Sequence, residues 1–125
     1  MTSNFRTVDL LQRLEWAAVL AAAIAGYLFL GGSWKLFVLL ILAPDLAMLG
    51  YLAGPIVGAF VYNAFHILVW PVILFLAGLY AGEAILMQVA AIWIAHIAMD
   101  RALGYGLKLP TGFTDTHLGR IGKGR

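Results

Sequence analysis

Apolar residues follow one another in this chain for longer than a water-facing helix or strand tolerates, and that excludes most folds at once. Four runs, at about 14–30, 34–52, 56–80 and 84–103, are separated by Gly31-Gly32-Ser33, Ala53-Gly54-Pro55 and Gly82-Glu83. About 20 such residues cross a bilayer as a helix, and turn-forming clusters end one helix before the next begins. Only 11% of the 125 residues are charged, where a soluble domain carries about 25%, so there is too little charge to cover a surface facing water. The expected fold is all-α, a polytopic transmembrane bundle of four spans in a single integral membrane domain over residues 1–125. Pro71 lacks a backbone donor and clashes one turn back. The third run therefore reads either as one kinked span or as a helix ending near Val69 followed by a shorter one over 71–80. The start, MTSNFRTVDLLQRLEW, lacks the basic start, apolar run and cleavage site of a signal peptide, so the first helix is expected to be retained. No internal repeat is visible.

Four spans place both ends of the chain on one side. Arg6, Arg13, Arg101, Lys108, Arg120, Lys123 and Arg125 fall on that side, and only Lys35 and Glu83 flank the opposite loops. Excess Lys and Arg mark the cytoplasmic face, so both termini are expected in the cytoplasm. The net charge of +2 follows from that flank. It suits anionic lipid headgroups rather than nucleic acid, for which no motif is present. Trp16, Trp34, Trp70, Tyr80 and Tyr105 near span ends read as an interfacial aromatic belt.

Against this background a few polar residues stand out. With 1.5 Å of rise per residue, Asp45 and His66 each lie about 15 Å deep, His96 about 18 Å and Asp100 about 24 Å. Three spans thus bring ionisable groups to overlapping depths, where each costs several kcal/mol unless paired or wetted and by default marks a functional site. His96 and Asp100 are four residues apart, and in YNAFH both Tyr62 and Asn63 share a helical face with His66. Pro44 kinks the second span beside Asp45 and frees backbone carbonyls. Neutral imidazoles and carboxylates suit zinc, manganese or iron. His66, His96 and Asp100 are the expected metal ligands, Asp45 a fourth ligand or general base, and Tyr62 and Asn63 their supports. HxxxD alone is short and common. The alternative is purely structural: His96 and Asp100 as an intrahelical hydrogen-bonded pair, Asp45 capping a broken helix or pairing with Arg101, and Asn63 and Tyr62 joining helices. Arg101, about 100° around the helix from Asp100, is expected to snorkel to the interface. Gly50, Gly54 and Gly58 form a small-residue ladder that permits close helix approach. Cysteine is absent, so neither a disulfide nor a thiolate site exists.

The tail GYGLKLPTGFTDTHLGRIGKGR keeps Leu109, Phe113 and Leu118 among its glycines, which a solvated tail would not need. It is expected to fold as an ordered basic segment over the cytoplasmic mouth, with Lys108, Thr111, Asp115, His117 and Arg120 as contact residues and an anionic headgroup or phosphate within reach of its cations. A solvated tail with an incidental histidine is the alternative.

APDLAMLGYLAGPIVGAFVYNAFH and WIAHIAMDRALGYGLKLPTGFTDTHLG together resemble a bacterial family of small membrane proteins known as domain of unknown function 4260, over roughly residues 14 to 122. Asp45, Tyr62, Asn63, His66, His96, Asp100, Arg101, Asp115 and His117 fall on motif positions of that family. Ile56 stands where its members usually carry Arg, and Leu109 where Tyr is common. The resemblance implies a bacterial inner (cytoplasmic) membrane protein and supplies no activity. A looser likeness is to inner-membrane metal-dependent hydrolases, although Ala47 replaces the second carboxylate of their first motif and His66 stands alone where they have more ligands. The leading expectation is a metal-dependent membrane hydrolase acting on an amphiphilic ester or phosphoester, since a bound divalent metal lowers the pKa of water toward neutrality. The competing expectations are a proton- or ion-coupled transporter or channel component, for which a homo-oligomer would supply the missing helices, and a bundle holding haem between His66 and His96.

Overall fold

The computed structural model describes residues 3–110 and 114–120; Thr111 and Phe113 lie outside the described residues, as do the side chains of Asp115 and Arg120. The chain folds as α1 (Ser3–Phe29), α2 (Trp34–Leu40), a 3-10 helix (Ala43–Ala53), α3 (Pro55–Phe65), α4 (Val69–Ala81) and α5 (Ala84–Ala102). A two-residue antiparallel hairpin follows, β1 (Asp115–Thr116) with β2 (Gly119–Arg120). Among the described residues three helical segments, Trp34–Ala53, Pro55–Ala81 and Ala84–Ala102, are long and apolar enough to cross a membrane.

Large and small side chains are sorted as lipid would sort them. The buried positions are dominated by Ala47, Ala59, Ala90, Ala91, Ala95 and Ala98, while Phe29, Leu52, Phe60 and Tyr80 are each at least 75% exposed. Without a hydrophobic force between helices, close backbone approach over small residues holds them together. The central element is α5, which packs against α1 and α4, while α3 packs on the 3-10 helix. The α1–α2 turn is tied down by the Tyr27 hydroxyl, which donates to the Ser33 carbonyl at 2.6 Å, and by the Gln88 amide, which donates to Leu30 at 2.8 Å.

Two of the expected helices are broken, and each break has a local cause. The second run is α-helical only to Leu40; Pro44 then forces a tighter winding that continues to Ala53. A 3-10 helix has three residues per turn, and the sequence carries that period. Leu46, Leu49 and Leu52 form one exposed row, and Pro44, Ala47 and Gly50 the opposite row facing the protein. Gly50 and Gly58 bring this helix onto α3: a Cβ on Gly50 would sit 3.4 Å from the Gly58 Cα, and one on Gly58 would collide with the Tyr51 ring. Gly54, at φ 108°, turns the chain between the two.

The third run breaks at residues 66–68, three residues before the expected place. Pro71 does not cause the break. It sits buried in the first turn of α4, where its N–H would have had no helical partner, so it begins a helix rather than ending one. From this packing, Gly58→Ala is expected to cost about 1–3 kcal/mol as overpacking against Tyr51, whereas Leu52→Ala on the exposed row stays within about 0.5 kcal/mol. Thermal unfolding of both variants in one detergent measures the difference.

Candidate metal centre

Both helix breaks serve the same purpose. In an α-helix the carbonyl of residue 41 would accept from the N–H of residue 45, but Asp45 instead donates to Leu42 at 3.0 Å, and Pro44 has no N–H to offer. The Ile41 carbonyl is thereby freed, and His96 Nδ1 donates to it at 2.6 Å. At the end of α3 the His66 N–H likewise turns to Asn63, at 3.0 Å, which frees the Tyr62 carbonyl. The His66 ring folds back and Nδ1 donates to that carbonyl at 2.7 Å. A carbonyl oxygen only accepts, so each Nδ1 carries a hydrogen, and in the neutral ring each Nε2 presents a lone pair.

Those two lone pairs meet two carboxylates. His66 Nε2 lies 3.2 Å from His96 Nε2, 3.2 Å from Asp45 Oδ1 and 3.6 Å from Asp100 Oδ2. His96 Nε2 lies 3.1 Å from Asp45 Oδ1 and 3.3 Å from Asp100 Oδ2. The structure thus brings together Asp45 from the 3-10 helix, His66 from the end of α3, and His96 with Asp100 from one face of α5, their ligating atoms all within 4.8 Å of one another. A tetrahedron with ligand bonds of about 2.0–2.1 Å has edges of about 3.3–3.4 Å, and the five distances scatter around that edge. The donor set therefore fits a small divalent cation. Two Nε2 atoms this close, with carboxylates on both, leave no space for a macrocycle, so haem between the histidines is excluded.

The surroundings are as specific as the ligands. The Tyr62 ring stacks on His66 at 3.7 Å. Arg101 is buried rather than snorkelling: Nη2 donates to the His66 carbonyl at 2.9 Å and Nη1 to Tyr105 at 3.0 Å, which ties the α3–α4 break to the chain leaving α5. Trp93 Nε1 donates to the Phe65 carbonyl of the same break at 2.8 Å. The Asn63 side chain turns to the tail instead. Its side chain pairs with the backbone of Lys108 as a strand would, donating to the carbonyl at 2.8 Å and accepting from the N–H at 2.7 Å.

That pairing places Lys108, itself buried, with its ammonium 5.0 Å from the Tyr62 ring centroid. Burial pushes its pKa below the ordinary lysine value, while Asp100 and Asp45 act in the opposite sense. Beyond it, His117 closes the tail on itself, accepting from the Leu107 N–H through Nδ1 at 2.8 Å and donating its own N–H to the Leu107 carbonyl at 2.9 Å. Four participants were missed in the sequence: the Ile41 carbonyl, the Trp93 contact, the inward turn of Arg101 and the role of Asn63 as a clamp. Pro44 three residues after Ile41 was the available sign of the first; nothing local signals the others.

The sequence profile of the family described as a domain of unknown function (DUF4260) matches residues 9–121. No curated protein and no solved structure matches the chain.

The tail closure carries a pH dependence. Burial first and Arg101 second lower the pKa of His117 from an ordinary value of about 6.5, and its Nδ1 must stay unprotonated to accept from Leu107. A depressed histidine stabilises the folded form fully above the unfolded pKa and loses that contribution as pH falls through the folded value. Amide protection at Leu107 is therefore expected to be full above about pH 6.5 and to fall at lower pH. In His117→Gln that pH dependence should vanish, as hydrogen exchange corrected for intrinsic rates would show.

Proposed function

We propose a metal-dependent membrane hydrolase as the function of this chain, which belongs to the DUF4260 family. The observation that carries the reading is the convergence of two imidazole Nε2 atoms and two carboxylates, with ligating atoms all within 4.8 Å of one another. Both Nδ1 hydrogens are committed to carbonyls, so with neutral rings the four acceptors repel one another unless a cation joins them. Histidine ligands that donate their second nitrogen to a backbone carbonyl are the usual outer support of a bound metal. The edge lengths favour zinc over the larger, six-coordinate ions.

The ligands are unequal, and that inequality supports hydrolysis. The side chains of His66 and His96 are wholly buried and Asp100 is nearly so, whereas the Asp45 side chain is 33% exposed. Catalytic zinc sites keep three protein ligands and one exchangeable position. Asp45 stands on a 3-10 segment, a winding that often marks a functional hinge, and is the ligand able to withdraw. A bound divalent ion would acidify water and polarise the ester oxygen. The chain's own groups do the rest: Asp45 takes the water proton and returns it to the leaving alkoxide as the ester bond breaks, while Tyr62, Ile41 and Arg101 hold the two breaks in place.

The membrane arrangement belongs to the same proposal. α1 is 27 residues long and packs along α5, so its apolar part serves as a fourth span. With Arg101 and Lys108 buried, Arg6, Arg13, Arg120, Lys123 and Arg125 still outweigh Lys35 on the opposite side. Both termini are cytoplasmic on this count, and the Asn63 clamp on Lys108 holds the start of the tail beside the site.

Elemental analysis of the full chain in detergent is expected to find about one zinc per chain, lost in His66→Ala, His96→Ala and Asp100→Ala. Asp45→Asn is expected to keep zinc while hydrolysis falls roughly 10²- to 10⁴-fold, the contribution of a general base. A wild type free of metal, with His96 and Asp100 jointly replaced by apolar residues at no cost in melting temperature, would end the proposal. A second expectation tests the freed carbonyl. Pro44→Ala supplies an N–H that competes with His96 Nδ1 for Ile41, and zinc affinity measured against a chelator should fall roughly 10- to 100-fold with helix content unchanged.

A further inference from the structure

The break between α3 and α4 leaves one more carbonyl without a helical partner, that of Phe65, the last residue of α3. Trp93 takes it. Its Nε1 donates there at 2.8 Å, and the indole lies along the Phe65 ring, with centroids 6.1 Å apart and planes 25° from parallel. The position is unusual for this residue type, because Trp93 is at the middle of α5, whereas tryptophans of membrane proteins gather at the interfaces. With its one polar atom committed, the indole presents only apolar surface to its other neighbours.

That surface lines a cleft of about 190 Å³ whose walls are almost wholly apolar, with Pro44 from the first helix break, Phe65 from the second, and Val89, Ile92 and Trp93 from α5 among them. Phe65 is 46% exposed, so the cleft opens on the outside of the bundle, where lipid lies. It also adjoins the ligands, since Pro44 precedes Asp45, Phe65 precedes His66, and Ile92 lies one turn before His96. An apolar void of roughly 150 Å³ takes a molecule the size of benzene, so this cleft suits a length of alkyl chain rather than a whole lipid. A group passing along such walls meets no countercharge, and an unpaired charge in apolar surroundings costs several kcal/mol. A carboxylic ester is uncharged; an ionised phosphoester is not.

We propose that the centre hydrolyses the carboxylic ester of a long aliphatic chain, which enters from the bilayer with its alkyl part in the cleft between Phe65, Val89 and Trp93. This rests on the metal-hydrolase reading and narrows its substrate class. Val89 and Trp93 set the preference for a long chain and touch no reacting atom. In the reaction, water oxygen bonds to the acyl carbon, and the bond from that carbon to the alcohol oxygen breaks. One water proton ends on the alcohol oxygen, and the other leaves the carboxylic acid as it ionises. The products are a carboxylate and an alcohol, with no change of oxidation state.

Trp93 reports on the cleft directly. The full chain carrying Trp16→Phe, Trp34→Phe and Trp70→Phe keeps it as the sole tryptophan. In nanodiscs, with zinc content measured in parallel, this chain is titrated with a long-chain methyl ketone brominated on its chain, an uncharged stand-in for the ester with no bond to cleave. Quenching is expected to saturate and to be reversed by the unbrominated ketone, whereas brominated chains that merely surround the helices quench in proportion to their mole fraction. Val89→Phe fills the cleft and should abolish the saturable part with zinc unchanged. Hydrolysis of a dodecanoyl ester should fall roughly 10- to 100-fold in that variant, the scale of discrimination by an apolar pocket, and hydrolysis of the acetyl ester of the same alcohol should not. Zinc-loaded protein whose quenching never saturates, or which cleaves neither ester, overturns this substrate and leaves the metal centre standing. A wild type without zinc overturns the metal-hydrolase reading and this inference with it.

Discussion

Everything in this protein's centre depends on where two imidazole hydrogens go. A histidine free to choose its tautomer presents a donor or an acceptor to a neighbour, and two of them gathered with two carboxylates in a bundle would settle into mutual hydrogen bonds. Here the choice has been removed. Each helix break tightens the backbone from i→i+4 to i→i+3 hydrogen bonding, strands one carbonyl, and gives that carbonyl to a histidine Nδ1. Irregular backbone within a membrane survives only where something re-satisfies its polar groups. The two histidines do so, and in doing so they are fixed as acceptors toward the centre.

This economy explains why the helix breaks are not packing faults. Were the second run a continuous α-helix, the Ile41 carbonyl would be taken by the backbone and His96 would lose its orienting partner. Were α3 continued through residues 66–68, His66 would not reach its own Tyr62 carbonyl, and Arg101 would find no free His66 carbonyl. The two breaks and the polar set require each other, a consistency across levels that distinguishes a specified site from scattered polar residues.

Much of this was legible beforehand, for physical reasons that differ by element. Membrane-length runs are visible because lipid acts on every residue of a span. His96 and Asp100 are visible because helical spacing is local. The convergence of Asp45 and His66 on them was visible only as shared depth, which says nothing about rotation around each helix. Pro44 marked a kink, but the change to a 3-10 winding is carried by the period of Leu46, Leu49 and Leu52, which an expectation of α-helical period hides. Pro71 misled because its effect depends on where a helix starts, and that start is set by the break three residues earlier. Arg101 and Lys108 misled for a different reason: basic residues near a span end normally reach for headgroups, and only the tertiary fold shows the carbonyls at the α3–α4 break and the Asn63 clamp that turn them inward.

The inward cations bear on what kind of centre this is. A buried group of two acids and two bases can be neutral without any metal, and on charge alone a purely structural network would suffice. The geometry also suits a shared cation. Arg101 directs both terminal nitrogens to backbone carbonyls, and the Lys108 ammonium lies 5.0 Å from the Tyr62 ring centroid. The carboxylates face the imidazole Nε2 atoms at 3.1–3.6 Å, and with neutral rings this arrangement lowers the electrostatic energy of a cation placed among them. Four acceptor atoms held this close by two helix breaks are suited to share a cation, and the breaks that orient them are themselves fixed by Arg101 and the Asn63 clamp.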